Sequence, residues 1–183
     1  MTEQGDPTRS ALVWIAERTW QACVDAARRL PPATRITLVH VISTDPQEAA
    51  HGAYLGLMGR RAPGRDPGSL ITEFALNSAA ELLDAAAGRL GRPCERIGRQ
   101  GRPEREVVAA SADADLLIVA RDGDQSRLGP KSLGKEVRFV VDHAPCQVLL
   151  IWPSATPSVA TIPPAPPPPP APPPAPPPAP PPA

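Results

Sequence analysis

Two short apolar runs, Leu116 to Ala120 (Leu-Leu-Ile-Val-Ala) and Val148 to Trp152 (Val-Leu-Leu-Ile-Trp), bracket a glycine- and charge-containing loop and one amphipathic segment. Each run is too short for a helix and almost uninterrupted in apolar character, the pattern of a parallel strand buried on both faces. Between them Val137, Val140, Val141 and Ala144 recur at the i, i+3, i+4, i+7 spacing of a helix that buries one side. Strand, crossover helix and strand make a unit that belongs in a sheet with helices packed on it. The loop after the first strand of such a unit lies at the carboxyl edge of the sheet, where ligands bind in open α/β folds. Small-molecule chemistry is therefore expected within Ala120 to Lys135.

The upstream chain fits this framework. Ala11 to Ala16 is an apolar run suited to a first, central strand. Trp20, Cys23, Val24 and Ala27 then repeat at helical spacing, with Thr19 or Glu17 available to the amino-terminal turn, Arg28 and Arg29 suited to the carboxyl end, and Pro31-Pro32 as a stop. Arg35 to Ile42 is rich in β-branched residues and reads as the second strand. Ser43 to Ser69 is irregular; a short helix is expected over Gln47 to Leu57, followed by a mobile loop over Gly59 to Gly68. A long helix begins near Leu70, its apolar stripe traced by Leu76, Ala79, Ala80, Leu83, Ala87 and Leu90, and Gly91 ends it. Cys94 to Gln100 is a strand mainly by its place in the alternation. Arg102 to Ala112 is a helix with Pro103 in its first turn, Glu104 and Glu106 near its amino end, and Val107 and Val108 inward. The alternating order implies an α/β fold with an open parallel sheet of about five strands, right-handed crossovers and helices on both faces.

Composition sets the boundaries. Prolines concentrate after Trp152, and Pro163 to Ala183 contains only proline and alanine, too little apolar variety to offset the entropy of folding. As polyproline II that tail reaches at most ~65 Å at about 3.1 Å per residue. The expected organisation is a flexible amino terminus over 1–9, one domain over 10–153 and a disordered Pro/Ala-rich tail over 154–183. With 19 basic and 19 acidic side chains the formal charge is zero, so nothing global draws the chain to nucleic acid or anionic lipid. Three cysteines without metal-ligand spacing argue for reduced thiols. The first residues lack a basic n-region and a long apolar h-region, so a cytoplasmic location is expected, with no membrane or nucleic-acid partner.

The chain resembles the universal stress protein family over about residues 11 to 152. The residues that carry the resemblance are Leu38-Val39-His40-Val41, Gly101-Arg-Pro103-Glu-Arg-Glu-Val-Val, Ala114-Asp115-Leu-Leu-Ile-Val-Ala, and Gly134 followed nine residues later by His143-Ala-Pro-Cys146-Gln-Val148. The resemblance implies a five-stranded, Rossmann-like sheet of the adenine nucleotide alpha hydrolase type, strand order 3-2-1-4-5, and a homodimer paired through the last strand, Val148 to Trp152. Nucleotide-binding members carry Gly-x-x-Gly, nine residues, then Gly-Ser or Gly-Thr. Here Ala120 stands at the first glycine, Gly123 matches the second, ten residues follow, Gly134 matches the third, and Lys135 replaces the hydroxyl residue. The family's aspartate after the first strand is absent, Ala16 and Glu17 occupying a shortened loop. The nucleotide-binding set implied is Ala16, Glu17, Val41, Gly101, Ala120, Arg121, Gly123, Gly134 and Lys135, with ATP or AMP as the ligand.

A phosphate loop works by aiming backbone N–H groups and a helix amino terminus at the anion, glycines permitting close approach. Gly123, Gly129 and Gly134 keep that open, and Arg121, Lys131 and Lys135 add positive charge; the competing reading is that these glycines only make turns. Gly129 to Glu136 spells most of a Walker A loop, but Glu136 replaces the hydroxyl that binds magnesium and the loop does not directly follow its strand. His40, His51 and His143 lack an acid and nucleophile pattern. Cys146 reads as a small buried hydrophobe and Cys94 as the most exposed thiol. The arginines at 92, 96, 99, 102 and 105 lack interleaved aromatics, against single-stranded nucleic acid, although Arg99 or Arg102 is placed to meet a phosphate. Three functions follow: a non-catalytic regulatory dimer with weakened or altered adenine nucleotide binding, an ATP-binding protein with slow hydrolysis, or a scaffold whose proline-rich tail recruits a protein partner.

Overall fold

The computed structural model describes residues 9–44, 67–162 and 164. Within them lie five strands, β1 (Ser10–Trp14), β2 (Arg35–Ser43), β3 (Glu95–Gly101), β4 (Leu116–Ala120) and β5 (Gln147–Ile151). Four α-helices accompany them, α1 (Trp20–Ala27), α2 (Pro67–Leu90), α3 (Pro103–Ala110) and α4 (Lys135–His143). The strands form one parallel sheet in the order β3-β2-β1-β4-β5, the order implied by the resemblance. The helix expected over Gln47 to Leu57 lies outside the described residues, as does most of the loop after it.

Both faces of the central strands are buried, which is why their sequences read as apolar runs without polar alternation. Val13, Ile15, Ile36, Leu38, Ile118 and Ala120 face α1 and α2, where they meet Cys23, Val24, Leu83, Ala86 and Leu90. Their neighbours Leu12, Trp14, Val39, Val41, Leu117 and Val119 face α3 and α4, packing on Val107, Val137 and Val140. Burial pushes the Cys23 thiol up to about 12, so it stays a protonated, inert part of this core.

Two local expectations are adjusted. Strand β1 ends at Trp14 instead of Ala16, although Ile15 still donates its N–H to Val39 O at 2.8 Å. On α2 the buried residues are Ala79, Leu83, Ala86 and Leu90, three of them on the expected stripe, whereas Leu76 and Ala80 are exposed; among the described side chains, burial is confined to the carboxyl-terminal half of this 24-residue helix. Gly91 does end it, at φ +69° with its N–H on Ala87 O, a left-handed stop that glycine adopts without a Cβ clash. The chain also keeps contact with the domain past Pro153: Thr161 Oγ1 accepts the Leu128 N–H at 3.0 Å, and Ser154 donates to Gln125 Oε1 at 3.2 Å. These polar contacts hold Ser154 and Thr161 against the loop after β4.

At the amino edge, Asp115 ties β4 to β1 by accepting the Ser10 N–H at 2.8 Å and the Ser10 hydroxyl at 3.0 Å. The Ser10 backbone bond, then the hydroxyl bond, with Arg9 and Arg35 nearby, hold the Asp115 carboxyl below the usual range. A depressed folded-state value means this stabilisation is complete above the ordinary carboxylate range and is lost as pH falls through the folded value.

Candidate functional site

Strands β1 and β4 are adjacent, and their connections leave in opposite directions, towards β2 and towards β5. Where the chains part, ligands collect in this kind of sheet. A cleft of about 700 Å³ opens there, within the roughly 300–1,000 Å³ of small-molecule sites. Strand ends supply Trp14, Ile15, Ala16, Val41 and Ile42, and α2 contributes Phe74 and Leu82. Acidic groups come from three separate places: Glu17 after β1, Asp122 after β4 and Glu136 in the first turn of α4. His40 lines the same cleft, and because a carbonyl oxygen only accepts, its Nδ1 carries the proton donated to Ile15 O at 2.7 Å. A second cavity, of about 610 Å³, lies at the amino edge and includes Arg35, Cys94 and Asp113, away from the switch point.

The loop from Arg121 to Leu133 decides what the cleft can hold. Its first N–H, on Arg121, continues the sheet by donating to Ile151 O at 2.9 Å. Gly123 and Asp124 then donate to Ser132 O at 3.0 Å and Lys131 O at 2.8 Å. The loop thus closes on itself, and the Walker-like segment contributes carbonyls to that closure while forming a 3-10 turn over Pro130–Ser132. Gly123 is needed at the narrowest point, where a Cβ would lie 2.3 Å from Lys131 O. The Arg121 guanidinium donates to Ser132 Oγ and stacks 4.7 Å from the Trp152 ring centre. Asp124 accepts from Ser126 and Arg127, and its Ser126 bonds, the hydroxyl first, hold its carboxyl below the usual range.

At the start of α4, Gly134 donates its N–H to Asp122 Oδ1 at 2.7 Å. The Gly123, Asp124 and Gly134 N–H groups are therefore engaged by Ser132, Lys131 and Asp122.

The predicted set divides accordingly. Ala16, Glu17 and Val41 line the cleft, and Ala120 lines a small recess beside it that is shared with Trp14, Asp122 and Glu136. Gly101, Arg121, Gly123, Gly134 and Lys135 line neither. Gly101 closes β3 at φ +144°. Lys131 and Lys135 are exposed. Arg99 reaches Glu106 Oε2 at 3.3 Å in place of the cleft, and Arg102 is exposed at the start of α3. Cys94 is half-buried, as is Cys146, and burial raises both thiols. Asp122 is a cleft residue that sequence reasoning did not weigh, and His40, Phe74 and Glu136 line the cleft although none was assigned to the site. A carboxylate between Arg121 and Gly123, inside a loop of the phosphate-binding type, was the available signal, since it opposes the charge of the expected ligand. Among the described residues no cluster of three or more His, Cys, Asp or Glu is placed to hold a metal, and no helix is long and apolar enough to cross a membrane.

Comparison with known proteins agrees with this architecture. Among solved structures, hypothetical protein MJ0577 superposes with a TM-score of 0.56 at 18% identity, over 81% of this chain and 99% of its own. Hypothetical protein PH0823 does so with a TM-score of 0.56 at 20% identity, over 79% and 96%. These likenesses are of fold. No match is found among curated proteins. The family model described as the universal stress protein family matches residues 6–151, and with that span covering the sheet and its helices, the chain belongs to the universal stress protein family.

Proposed function

We propose that the protein is a cytoplasmic, non-catalytic stress-response module that works as a homodimer, with a switch-point cleft whose binding of adenine nucleotides is weakened. One observation carries this reading: the loop after β4 directs the Gly123 and Asp124 N–H groups to its own carbonyls. An anion-binding loop needs those groups aimed outward. Lys135 in place of a hydroxyl removes a further ligand. Calorimetric titration with ATP, ADP and AMP tests the reading. Dissociation constants weaker than about 100 μM are expected; micromolar binding with a defined stoichiometry overturns it.

Dimerisation rests on β5. It is an edge strand whose Leu149 is 37% exposed and whose Val148, Leu150 and Ile151 are only half-buried. An apolar edge with unpaired backbone groups favours pairing with another strand, and a second copy of β5 supplies one. Sedimentation at micromolar concentration is expected to give the mass of two chains, and a single-chain mass excludes this interface.

A further inference from the structure

We propose that Asp122 is a built-in occupant of the phosphate position, so that the cleft takes a nucleoside-sized aromatic ligand carrying no anionic group. This rests on the reading of the cleft as a ligand site and extends it to the ligand's class and the residue that sets it.

The amino end of a helix concentrates unpaired N–H groups and a positive partial charge, and in open α/β folds it faces the switch point, where it attracts anions. Here that end already has an anion. Asp122 Oδ1 accepts the Gly134 N–H at 2.7 Å, and a Cβ on Gly134 would lie 2.7 and 2.6 Å from the two carboxylate oxygens. The carboxylate therefore lies against the bare glycine backbone, in the volume and on the donor that a phosphate oxygen would use. The cation nearest in sequence, Arg121, is engaged by the Ser132 hydroxyl and the Trp152 ring. Glu136 and Glu17 line the same cleft, against Arg18 as its one Lys or Arg among the described residues. A phosphate entering here meets carboxylates where it needs donors.

The rest of the cleft suits an uncharged ring. Trp14, Val41, Ile42 and Leu82 give apolar contact, and Phe74 on α2 leaves 75% of its surface exposed beside them. A flat heteroaromatic group that packs on Phe74 removes that exposure, while Glu17 after β1 accepts hydrogen bonds from its hydroxyl or amino groups. The ligand class is thus neutral or cationic, ring-bearing and unphosphorylated.

The test uses the full chain and three probes, adenosine, AMP and ATP, titrated into the wild type, Asp122→Ala and Asp122→Asn. The alanine vacates the position; the asparagine keeps an acceptor for the Gly134 N–H without the charge, and so remains informative if the alanine variant fails to fold. The wild type is expected to bind adenosine at least about tenfold more tightly than AMP or ATP, the penalty of setting like charges side by side. In Asp122→Ala this preference is expected to fall below about threefold through tighter AMP binding, with adenosine changed by less than about twofold and the asparagine variant intermediate. If folded variants keep the wild-type ratio, or if adenosine does not bind, this inference is overturned and the weak-nucleotide reading stands. Micromolar AMP and ATP binding by the wild type overturns both.

Discussion

Gly123→Ala is expected to destabilise the protein by about 2–4 kcal/mol, a large cost for one methyl group on a surface loop. The added Cβ would sit 2.3 Å from Lys131 O, 2.9 Å from Ser132 C and 3.0 Å from Ser132 O. All three atoms are backbone, so no side chain can swing away, and relief requires the two arms of the loop to separate. Separation breaks the Gly123–Ser132 and Asp124–Lys131 hydrogen bonds at 3.0 and 2.8 Å, each contributing about 0.5–1.5 kcal/mol. The steric cost of the overpacked contact adds to this. Gly98→Ala in β3 is the matched control, since nothing lies within 4 Å of its Cβ, and a change within about 0.5 kcal/mol is expected there. Urea denaturation of both variants measures the difference. A Gly123→Ala cost as small as that of Gly98→Ala would mean that the loop is not held closed, and the main support for weakened nucleotide binding would go with it.

The legibility of the chain followed burial. β4 was plain because a parallel strand under two helical layers must be apolar at almost every position; β5 is as apolar in sequence, although it is an edge strand with Leu149 exposed and Val148, Leu150 and Ile151 only half-buried, not buried on both faces as expected. β3 was faint for the complementary reason: it is an edge strand, Glu95, Arg96, Gly98 and Gln100 are exposed, and only Ile97 packs against the core as a large aliphatic residue. On α2 the periodicity of the leucines suggested a stripe through Leu76, but periodicity cannot say where along a long helix the sheet begins. The site was legible to the extent that it is made of strand ends, as at Ala16, Glu17 and Val41. It was not legible at Asp122, whose role depends on a contact with Gly134 twelve residues later that exists only when the loop closes. A motif comparison weighs the glycines and passes over the residues between them. Here the residue between them is the one that meets the helix.

Leu38→Ala and Leu117→Ala are each expected to cost about 2–5 kcal/mol, and the double variant to cost their sum within about 0.5 kcal/mol. Both side chains are fully buried, so each truncation loses transfer free energy and leaves a cavity. Additivity follows from the layers. Leu38 on β2 belongs to the core beneath α1 and α2, and Leu117 on β4 to the core beneath α3 and α4. β1 lies between the two strands, which places them about 10 Å apart at the usual spacing, on opposite faces. They share no packing partners, so one cavity gives the other no room to collapse. The summed cost, about 4–10 kcal/mol, is comparable to the whole stability of a typical domain, about 5–15 kcal/mol. The double variant therefore tests foldability as well as coupling, and Leu→Val changes at the same sites keep the measurement possible if it does not fold. Equilibrium denaturation of the single and double variants gives the coupling term directly. A departure from additivity above about 1 kcal/mol would show that the sheet transmits strain between its faces. The cleft, built from β-strand residues of both layers, would then respond to mutations far from either wall.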